Sequence, residues 1–308
     1  MKCPFCSTSR SPGSHEKDLD TEDALNTVRQ LAEMGTRIIH FSGGEPTLRK
    51  DLQEIAAHAT ECGMIVSMTT NGSASEAQMS RLLDIDLIRV SIDGTEIFHD
   101  EHRQTPGAYA KAINILKYLK SKGKHPQITT VYTEDSRYET LAELAETARD
   151  IGVNITLNVQ GRNVNMGKSD EDGEQINKLH SEFFRKYLDV LTTLKKKFGK
   201  VITDSEPIPT IIKYGGLNIF GCRAMDIAVT IKSDGAVSLP CNGLGIISEK
   251  GVLKDIYYSD KAYEIRKMQG KYPICKGCYI KCMCSASAML KFSGLYGIIN
   301  SYIKNILK

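Results

Sequence analysis

The chain has 308 residues, of which 41% are hydrophobic and 25% charged, and its formal net charge is +3. These values are ordinary for a folded globular protein, and so small a positive charge does not predict binding to nucleic acid. The sequence has no apolar N-terminal signal region and no apolar run near the ~20 residues that a membrane-spanning helix needs. We therefore expect a cytoplasmic protein without membrane association.

Strand and helix patterns alternate along the first half of the chain. Apolar, β-branched runs predict strands at 37–42, 64–70, 87–93, 127–133 and 153–159. Amphipathic spacing predicts helices at 21–34, 51–62, 76–83, 106–122 and 139–150. This alternation indicates parallel βα units of the α/β class, in which functional groups lie at the carboxyl ends of the strands. A polar loop at 161–169 and a long helix at 175–198 follow.

The nine cysteines fall into two groups and one isolated residue. Cys3 and Cys6 lie at the front of the chain, and Cys62 stands alone at the end of a predicted helix, where we expect a small buried apolar residue. Clustered cysteines in a reducing compartment indicate metal binding more often than disulfides. The remaining six are Cys222, Cys241, Cys275, Cys278, Cys282 and Cys284.

The first three predicted strands each run into a short polar or glycine-containing turn. These turns read GGEP at 43–46, TTNG at 69–72 and SIDG at 91–94. Two successive glycines allow a ligand to approach the backbone closely, and the carboxylate of Glu45 suits an ammonium group. Ser91 and Asp93 are two residues apart on one strand, so both point to the same face.

The order of these motifs resembles the radical S-adenosylmethionine (SAM) superfamily over about residues 1–160. The resemblance implies a [4Fe–4S] cluster held by a Cys-x3-Cys-x2-Cys motif, with one iron left open for SAM. Cys3 and Cys6 match the second and third cysteines, whereas the first cysteine and the strand before it would fall before Met1. We interpret this as a truncated N-terminus. The alternative is a degenerate homologue that no longer binds the cluster.

By the same resemblance, several strand-end residues would bind SAM. Gly43, Gly44 and Glu45 would meet its amino group, whereas Ser91 and Asp93 suit its ribose hydroxyls or carboxylate. The stretch HDEHR at 99–103, with a glycine at 107, resembles the HDxxR…G segment of the SPASM-type branch, and its arginine could meet a ligand carboxylate or a neighbouring acid. The implied SAM-binding set is Gly43, Gly44, Glu45, Pro46, Asn71, Ser91, Asp93 and Arg103.

The C-terminal cysteines surround a predicted hairpin. Asp234-Gly235 between two β-branched runs indicates a turn that brings Cys222 and Cys241 to a shared end. The cysteine order resembles the SPASM/twitch module, which binds auxiliary [4Fe–4S] clusters, but lacks several of the module's cysteines. We expect one auxiliary cluster, with Cys282 or Cys284 able to replace one ligand, and a zinc site is the alternative. The expected ligands are Cys222, Cys241, Cys275 and Cys278.

The resemblance implies an α/β protein with a partial (βα)6 TIM-like barrel that lacks its first strand, followed by a module of a β-hairpin plus short helices. We divide the chain into a radical SAM core at 1–165, a helical bridge at 166–220, a SPASM/twitch-like module at 221–290 and an apolar tail at 291–308. The tail would cap the barrel or, alternatively, lie on a membrane surface.

The implied activity is reductive cleavage of SAM to a 5′-deoxyadenosyl radical that abstracts hydrogen from a substrate. An external one-electron reductant of the ferredoxin or flavodoxin type would supply the electron. We expect a peptide or protein maturase. The alternatives are the same chemistry on a small metabolite, cofactor precursor or isoprenoid lipid, and a non-catalytic metal-binding homologue.

Overall fold

A computed structural model describes residues 1, 3–6, 17–159, 173–203, 221–241, 245–272, 275 and 287, and of residues 173–181 the backbone only. The predicted loop at 161–169, the tail at 291–308, and Cys278, Cys282 and Cys284 lie outside the described residues. Within the described part, no helix combines the length and the apolar character needed to cross a membrane.

The N-terminal half contains one parallel sheet of five strands, with neighbours in the order β1-β2-β3-β4-β5. Its strands are β1 Ile38–Phe41, β2 Ile65–Thr70, β3 Leu87–Ser91, β4 Gln127–Tyr132 and β5 Asn154–Val159. Parallel strands joined in sequential order by right-handed crossovers carry all their helices on one face. The sheet is therefore the wall of an open barrel.

The helices of this half are α1 Thr21–Glu33, α2 Leu52–Glu61, α3 Glu76–Met79, α4 Glu96–His102, α5 Ala108–Ser121, α6 Tyr138–Ile151 and α7 Gly173–Phe198. Local capping explains several of their starts. The carboxylate of Asp20 accepts from the amide of Asp23, and Ser75 and Gln78 form a reciprocal capping box. After α7, a single parallel bridge joins Ile202 to Ile155, so the chain returns to the sheet beside β5.

The two faces of the sheet differ in polarity. The face under the helices is apolar and buried, with Met68, Val90 and Leu157 all at most 1% exposed. Residues paired in register across parallel strands point the same way, so the opposite face, here called the inner face, can be read from the register. It carries the apolar residues Ile38, Ile65, Leu87 and Val131 and a larger polar set: His40, Ser67, Thr69, Arg89, Ser91, Gln127, Thr129, Asn154, Thr156 and Asn158.

The described residues of the C-terminal unit form a small antiparallel sheet and three short helices. Its elements are β6 Thr230–Ile231, β7 Val237–Leu239, β8 Ile247–Glu249, α8 Ala224–Ile227, α9 Leu253–Tyr257 and α10 Asp260–Met268. The predicted hairpin is confirmed, since β6 and β7 pair around the Asp234-Gly235 turn. This unit packs on α1. The amide of Leu253 donates to Gln30 Oε1 at 2.8 Å, and Leu31 of α1 is buried in the hydrophobic core of the C-terminal unit.

Candidate functional site

The turns that follow β1 and β2 are joined through one carboxylate. Oε1 of Glu45 accepts from the hydroxyls of Thr47 and Thr70, both at 2.7 Å, and from the Thr47 amide at 3.2 Å. Oε2 accepts from the amide of Asn71 at 2.7 Å and keeps a lone pair for an incoming donor. The structure thus brings Glu45 and Asn71 together, and Thr47 and Thr70, which the sequence did not single out, hold them there.

The glycines before Glu45 leave open space along the backbone. Gly43 has φ +118°, a conformation that side-chain-bearing residues rarely adopt, and a Cβ at Gly43 or Gly44 would meet no atom within 4 Å. Pro46 begins a single 3₁₀ turn, Pro46–Leu48, that closes the loop. The GGEP turn therefore presents exposed backbone beside a carboxylate, which suits the amino group of an amino acid.

Asp93 and Arg103 form a buried ion pair at the end of β3. Nε of Arg103 donates to Asp93 Oδ2 at 2.7 Å, and the two side chains are 7% and 0% exposed. The amide of Val131 donates to Asp93 Oδ1 at 3.1 Å. Burial opposes the charge of Arg103, but the Asp93 carboxylate outweighs it, so the pKa of Arg103 is raised. Of the two roles left open for Arg103, the structure shows the pairing with a neighbouring acid.

The rest of the HDEHR stretch braces this pair. His99 is fully buried, and its Nδ1 accepts from the amide of Asp93 at 3.1 Å. Burial lowers the pKa of His99 to about 4, so the ring is neutral at neutral pH. The carboxylate of Asp100 accepts from the amides of Gly107 and Tyr109, which begin α5. The stretch is thus a scaffold that fixes α4 and α5 to the sheet edge.

The cysteines at the front of the chain lie against this scaffold. The amide of Cys6 donates to the carbonyl of Cys3 at 3.0 Å, which closes a tight turn. Phe5, inside the turn, stacks on His102 at 4.3 Å between ring centroids, and the guanidinium carbon of Arg103 lies 5.8 Å from the Phe5 ring. Burial raises the pKa of the Cys3 thiol, and the charge of Arg103 opposes that shift. The charge of Arg103 thus favours the thiolate form that ligates metal, while burial, the larger effect, favours the thiol.

Ser91 is the last residue of β3 and lies on the inner face. It is half-buried and pairs in register with Thr129 of β4. Its position differs from that of Asp93, whose carboxylate is fully enclosed by protein donors. Strand alternation predicts that Ser91 and Asp93 point to one face. In the structure only the Ser91 side chain is partly exposed on that face.

Three described cysteines come together in the C-terminal unit. Burial raises the pKa of Cys222, and the nearby thiols of Cys275 and Cys241 raise it further. Burial likewise raises the pKa of Cys275, which Cys241 also influences. Cys278, Cys282 and Cys284 cannot be placed because they lie outside the described residues.

Polar groups near two of these sulfurs oppose the effect of burial. The Ala224 backbone and the Ser287 hydroxyl lower the pKa of Cys222, and the backbone of Gly270 and of Tyr272 lowers the pKa of Cys275, but burial outweighs them and both pKa values stay raised. Donors aimed at sulfur stabilise the thiolate, which is the form that ligates metal.

Gly270 is required for this packing, since a Cβ there would lie 2.7 Å from the Cys222 amide nitrogen. Sequence reasoning missed Gly270 and Ser287 because they are distant from Cys222 along the chain. Within the described ranges, no three His, Cys, Asp or Glu side chains are close enough together to hold a single metal ion. Neither cysteine group is thus a complete metal site among those residues.

Comparison with known proteins identifies the N-terminal half. Residues 1–151 match the model of the radical SAM superfamily. Residues 1–151 therefore form a radical SAM domain. It is 36% identical over 126 residues to the Fe-coproporphyrin III synthase of Methanosarcina barkeri, a match covering 40% of this chain and 32% of that one. It is 32% identical over 166 residues to the PqqA peptide cyclase of Granulibacter bethesdensis, covering 52% and 44%.

Solved radical SAM structures share the fold at lower identity. Streptococcus suis SuiB bound to SAM superimposes with a TM-score of 0.66 at 21% identity, covering 90% of this chain and 70% of that one. The protein anSMEcpe with bound SAM and the Kp18Cys peptide gives 0.67 at 15% identity, covering 99% and 96%. The predicted α/β partial barrel is therefore confirmed. The matched segments span less than half the length of the two relatives named above.

Proposed function

We propose that this radical SAM chain is an enzyme that reductively cleaves SAM and acts on a peptide or protein. The observation that carries the proposal is that the Glu45 carboxylate, in the turn after β1, bonds to Thr70 and Asn71 at the end of β2. It does so beside Gly43 and Gly44, whose backbone has free space around it. It offers a carboxylate lone pair and accessible backbone at one point. An amino acid with a bulky sulfonium substituent, such as SAM, fits that pattern.

Each site residue has a binding or positioning role in this proposal. Oε2 of Glu45 and the backbone of Gly43 and Gly44 receive the ammonium of SAM. The Ser91 hydroxyl bonds the ribose or the carboxylate. Because Asp93 holds Nε of Arg103, the guanidinium has a fixed orientation, and its outer N–H groups are donors for the SAM carboxylate.

Cys3 and Cys6 would hold two irons of the [4Fe–4S] cluster, and a third thiolate is needed to complete the family's ligand set. When bound and reduced by a ferredoxin- or flavodoxin-type donor, cluster and SAM together supply a 5′-deoxyadenosyl radical for hydrogen abstraction. The chain itself orients SAM and braces the cysteine turn through Phe5, His102 and Arg103.

The cleavage activity has a direct assay. The assay uses a version extended at its N-terminus to supply the third cysteine. After its anaerobic reconstitution with iron and sulfide, addition of dithionite and SAM should yield 5′-deoxyadenosine and methionine in equal amounts. Glu45→Gln should reduce the yield by about tenfold or more, because an amide no longer neutralises the ammonium. Glu61→Gln, an exposed change on α2, is the matched control. No 5′-deoxyadenosine from a reconstituted, SAM-bound protein would contradict the proposal.

The peptide class is supported by the relatives: PqqA peptide cyclase acts on a peptide, and SuiB was solved with its precursor peptide SuiA. A small-molecule substrate is the second candidate, favoured by the 36% identity to Fe-coproporphyrin III synthase. Mass spectrometry of a candidate peptide and of a coproporphyrin, each incubated with the reduced protein and SAM, separates the two.

We further propose that the C-terminal unit holds one auxiliary [4Fe–4S] cluster on Cys222, Cys241, Cys275 and Cys278, with Cys282 or Cys284 able to replace a ligand. The support is that the thiols of Cys222, Cys241 and Cys275 lie near enough to influence one another, and that Gly270 packs against the Cys222 backbone.

Replacing one of these ligands should lower the iron content. Cys222→Ser is expected to lose about four irons per chain, since one auxiliary cluster is removed. Cys62→Ser, at an isolated half-buried cysteine, is the control and should lose none. Equal iron in both variants would rule out the auxiliary cluster, and zinc in place of iron would indicate a structural zinc site.

A further inference from the structure

The backbone that follows Cys222 is held by side chains from much later in the chain. The amide of Arg223 donates to Oγ of Ser287 at 2.9 Å, across 64 residues of sequence. The amide of Met225 donates to Oε1 of Gln269 at 3.0 Å, across 44 residues. Both acceptors are buried, Ser287 completely. Cys222 therefore lies at the start of a stretch of backbone that two distant side chains clamp.

The Arg223 amide determines the role of the Ser287 hydroxyl. A backbone amide can only donate, so Oγ of Ser287 accepts in this bond and keeps its own proton for another partner. Because Ser287 is fully buried, that partner is expected within the protein rather than in bulk water. The Cys222 sulfur is a neighbouring acceptor, since the hydroxyl lowers the pKa of the Cys222 thiol as a donor directed at sulfur does.

The charged side chains beside Cys222 are engaged with one another. Nε of Arg223 donates to Oδ2 of Asp226 at 2.5 Å, and Nε of Arg266 lies 3.5 Å from Oδ1 of the same carboxylate. The Arg223 guanidinium is adjacent to Cys222 in sequence but is directed at Asp226. The side-chain donor that acts on the sulfur is therefore the neutral hydroxyl of Ser287.

We propose that Ser287 positions Cys222 for the auxiliary metal site, accepting from the Arg223 amide and donating its hydroxyl proton to Sγ of Cys222. The inference rests on the proposed function, in which Cys222 ligates an auxiliary [4Fe–4S] cluster. A hydrogen bond to a ligating sulfur stabilises the more negative, reduced form of a cluster and so raises its reduction potential. Ser287 therefore makes the auxiliary cluster a better electron acceptor.

A purely structural role for Ser287 gives a different expectation. If its oxygen only held the Arg223 amide, its removal would lower stability and leave the reduction potential unchanged. Ser136 supplies the matched comparison, because it is buried in the N-terminal half and its Oγ accepts from the amide of Thr133, also at 2.9 Å. Ser136→Ala thus breaks the same kind of bond outside the unit that holds the C-terminal cysteines.

The test uses the full chain with Cys3→Ser and Cys6→Ser, so that the front cysteines bind no cluster. After anaerobic reconstitution with iron and sulfide, a redox titration followed by EPR spectroscopy measures the midpoint potential. Ser287→Ala should retain iron and lower the equilibrium constant for reduction about threefold or more, as expected for the loss of one hydrogen bond. Ser287→Thr, which keeps the hydroxyl, and Ser136→Ala should stay near the parent value.

An unchanged potential in Ser287→Ala at full iron content would overturn the hydrogen bond to sulfur, and so would an equal shift in Ser136→Ala. Loss of iron from folded Ser287→Ala that Ser287→Thr restores would support the positioning role. If Ser287→Ala does not fold, as judged by circular dichroism, Ser287→Thr and Ser287→Val make the same comparison, because their side chains have nearly the same shape and differ in the hydroxyl.

A parent protein that holds no cluster would count against the proposed function and not by itself against the role of Ser287. Zn²⁺ is then the probe, and competition with a chromophoric chelator measures its dissociation constant. Ser287→Ala should weaken zinc binding about threefold or more relative to Ser136→Ala. Equal zinc affinity in the two variants, or a parent that binds no zinc, would overturn the inference.

Discussion

Replacing Arg103 by Met is expected to lower the free energy of unfolding by about 3–5 kcal/mol. The substitution keeps much of the apolar volume but leaves the fully buried Asp93 carboxylate without its cation. Asp93→Asn should cost a similar amount, because the guanidinium is then the uncompensated charge. The double variant should lose less than the sum of the two, since it contains no buried unpaired charge. Urea denaturation followed by circular dichroism measures all three.

The matched control is an exposed ion pair. Lys197 Nζ lies 3.2 Å from Glu146 Oε1, with both side chains about half exposed. Lys197→Met should therefore cost less than about 1 kcal/mol. If Arg103→Met were as mild as this control, the Asp93–Arg103 pair would not be the brace that holds α4 and the cysteine turn to the sheet.

Supplying a third thiolate should produce the largest gain in activity. A version extended at its N-terminus, with a cysteine four positions before Cys3, restores the Cys-x3-Cys-x2-Cys spacing. We expect its yield of 5′-deoxyadenosine to exceed that of the same extension carrying serine by about 100-fold or more, because losing one ligand costs more than losing an outer-shell contact. The two versions differ by one atom, so folding and expression are matched.

The extension also separates the open interpretations of the N-terminus. If the cysteine version gains neither cluster absorbance nor 5′-deoxyadenosine over the serine version, Cys3 and Cys6 do not belong to a SAM cluster. The non-catalytic alternative would then be favoured. A gain in both would show that the described scaffold around Phe5 and Arg103 is competent to hold the cluster turn.

The regular part of the fold was readily predicted from sequence. All five parallel strands lie within their predicted ranges, because apolar β-branched runs bounded by turns are a strong local signal. The helix predicted at 76–83 is instead α3 followed by a 3₁₀ turn, Ser80–Leu82. α4 was missed, since its seven residues are mostly polar and its start depends on the cap formed by Thr95.

The site was predicted less completely, because its contacts join distant residues. Motif order indicated Glu45 and Asn71, but it gave no role to Thr70, which lies in the same TTNG turn and bonds to Glu45, 25 residues away. Alternation placed Asp93 beside Ser91 without revealing that Arg103 encloses it. The polarity of the inner face was also missed, since strands were recognised by their apolar residues alone.

The central claim is that thiolates of this chain bind iron–sulfur clusters, and the iron and acid-labile sulfide content of anaerobically reconstituted protein tests it most directly. We expect iron and sulfide in nearly equal amounts, retained through gel filtration, with the broad charge-transfer absorbance of thiolate-bound [4Fe–4S] centres. Protein that retains neither iron nor sulfide, or that retains only zinc, would contradict it.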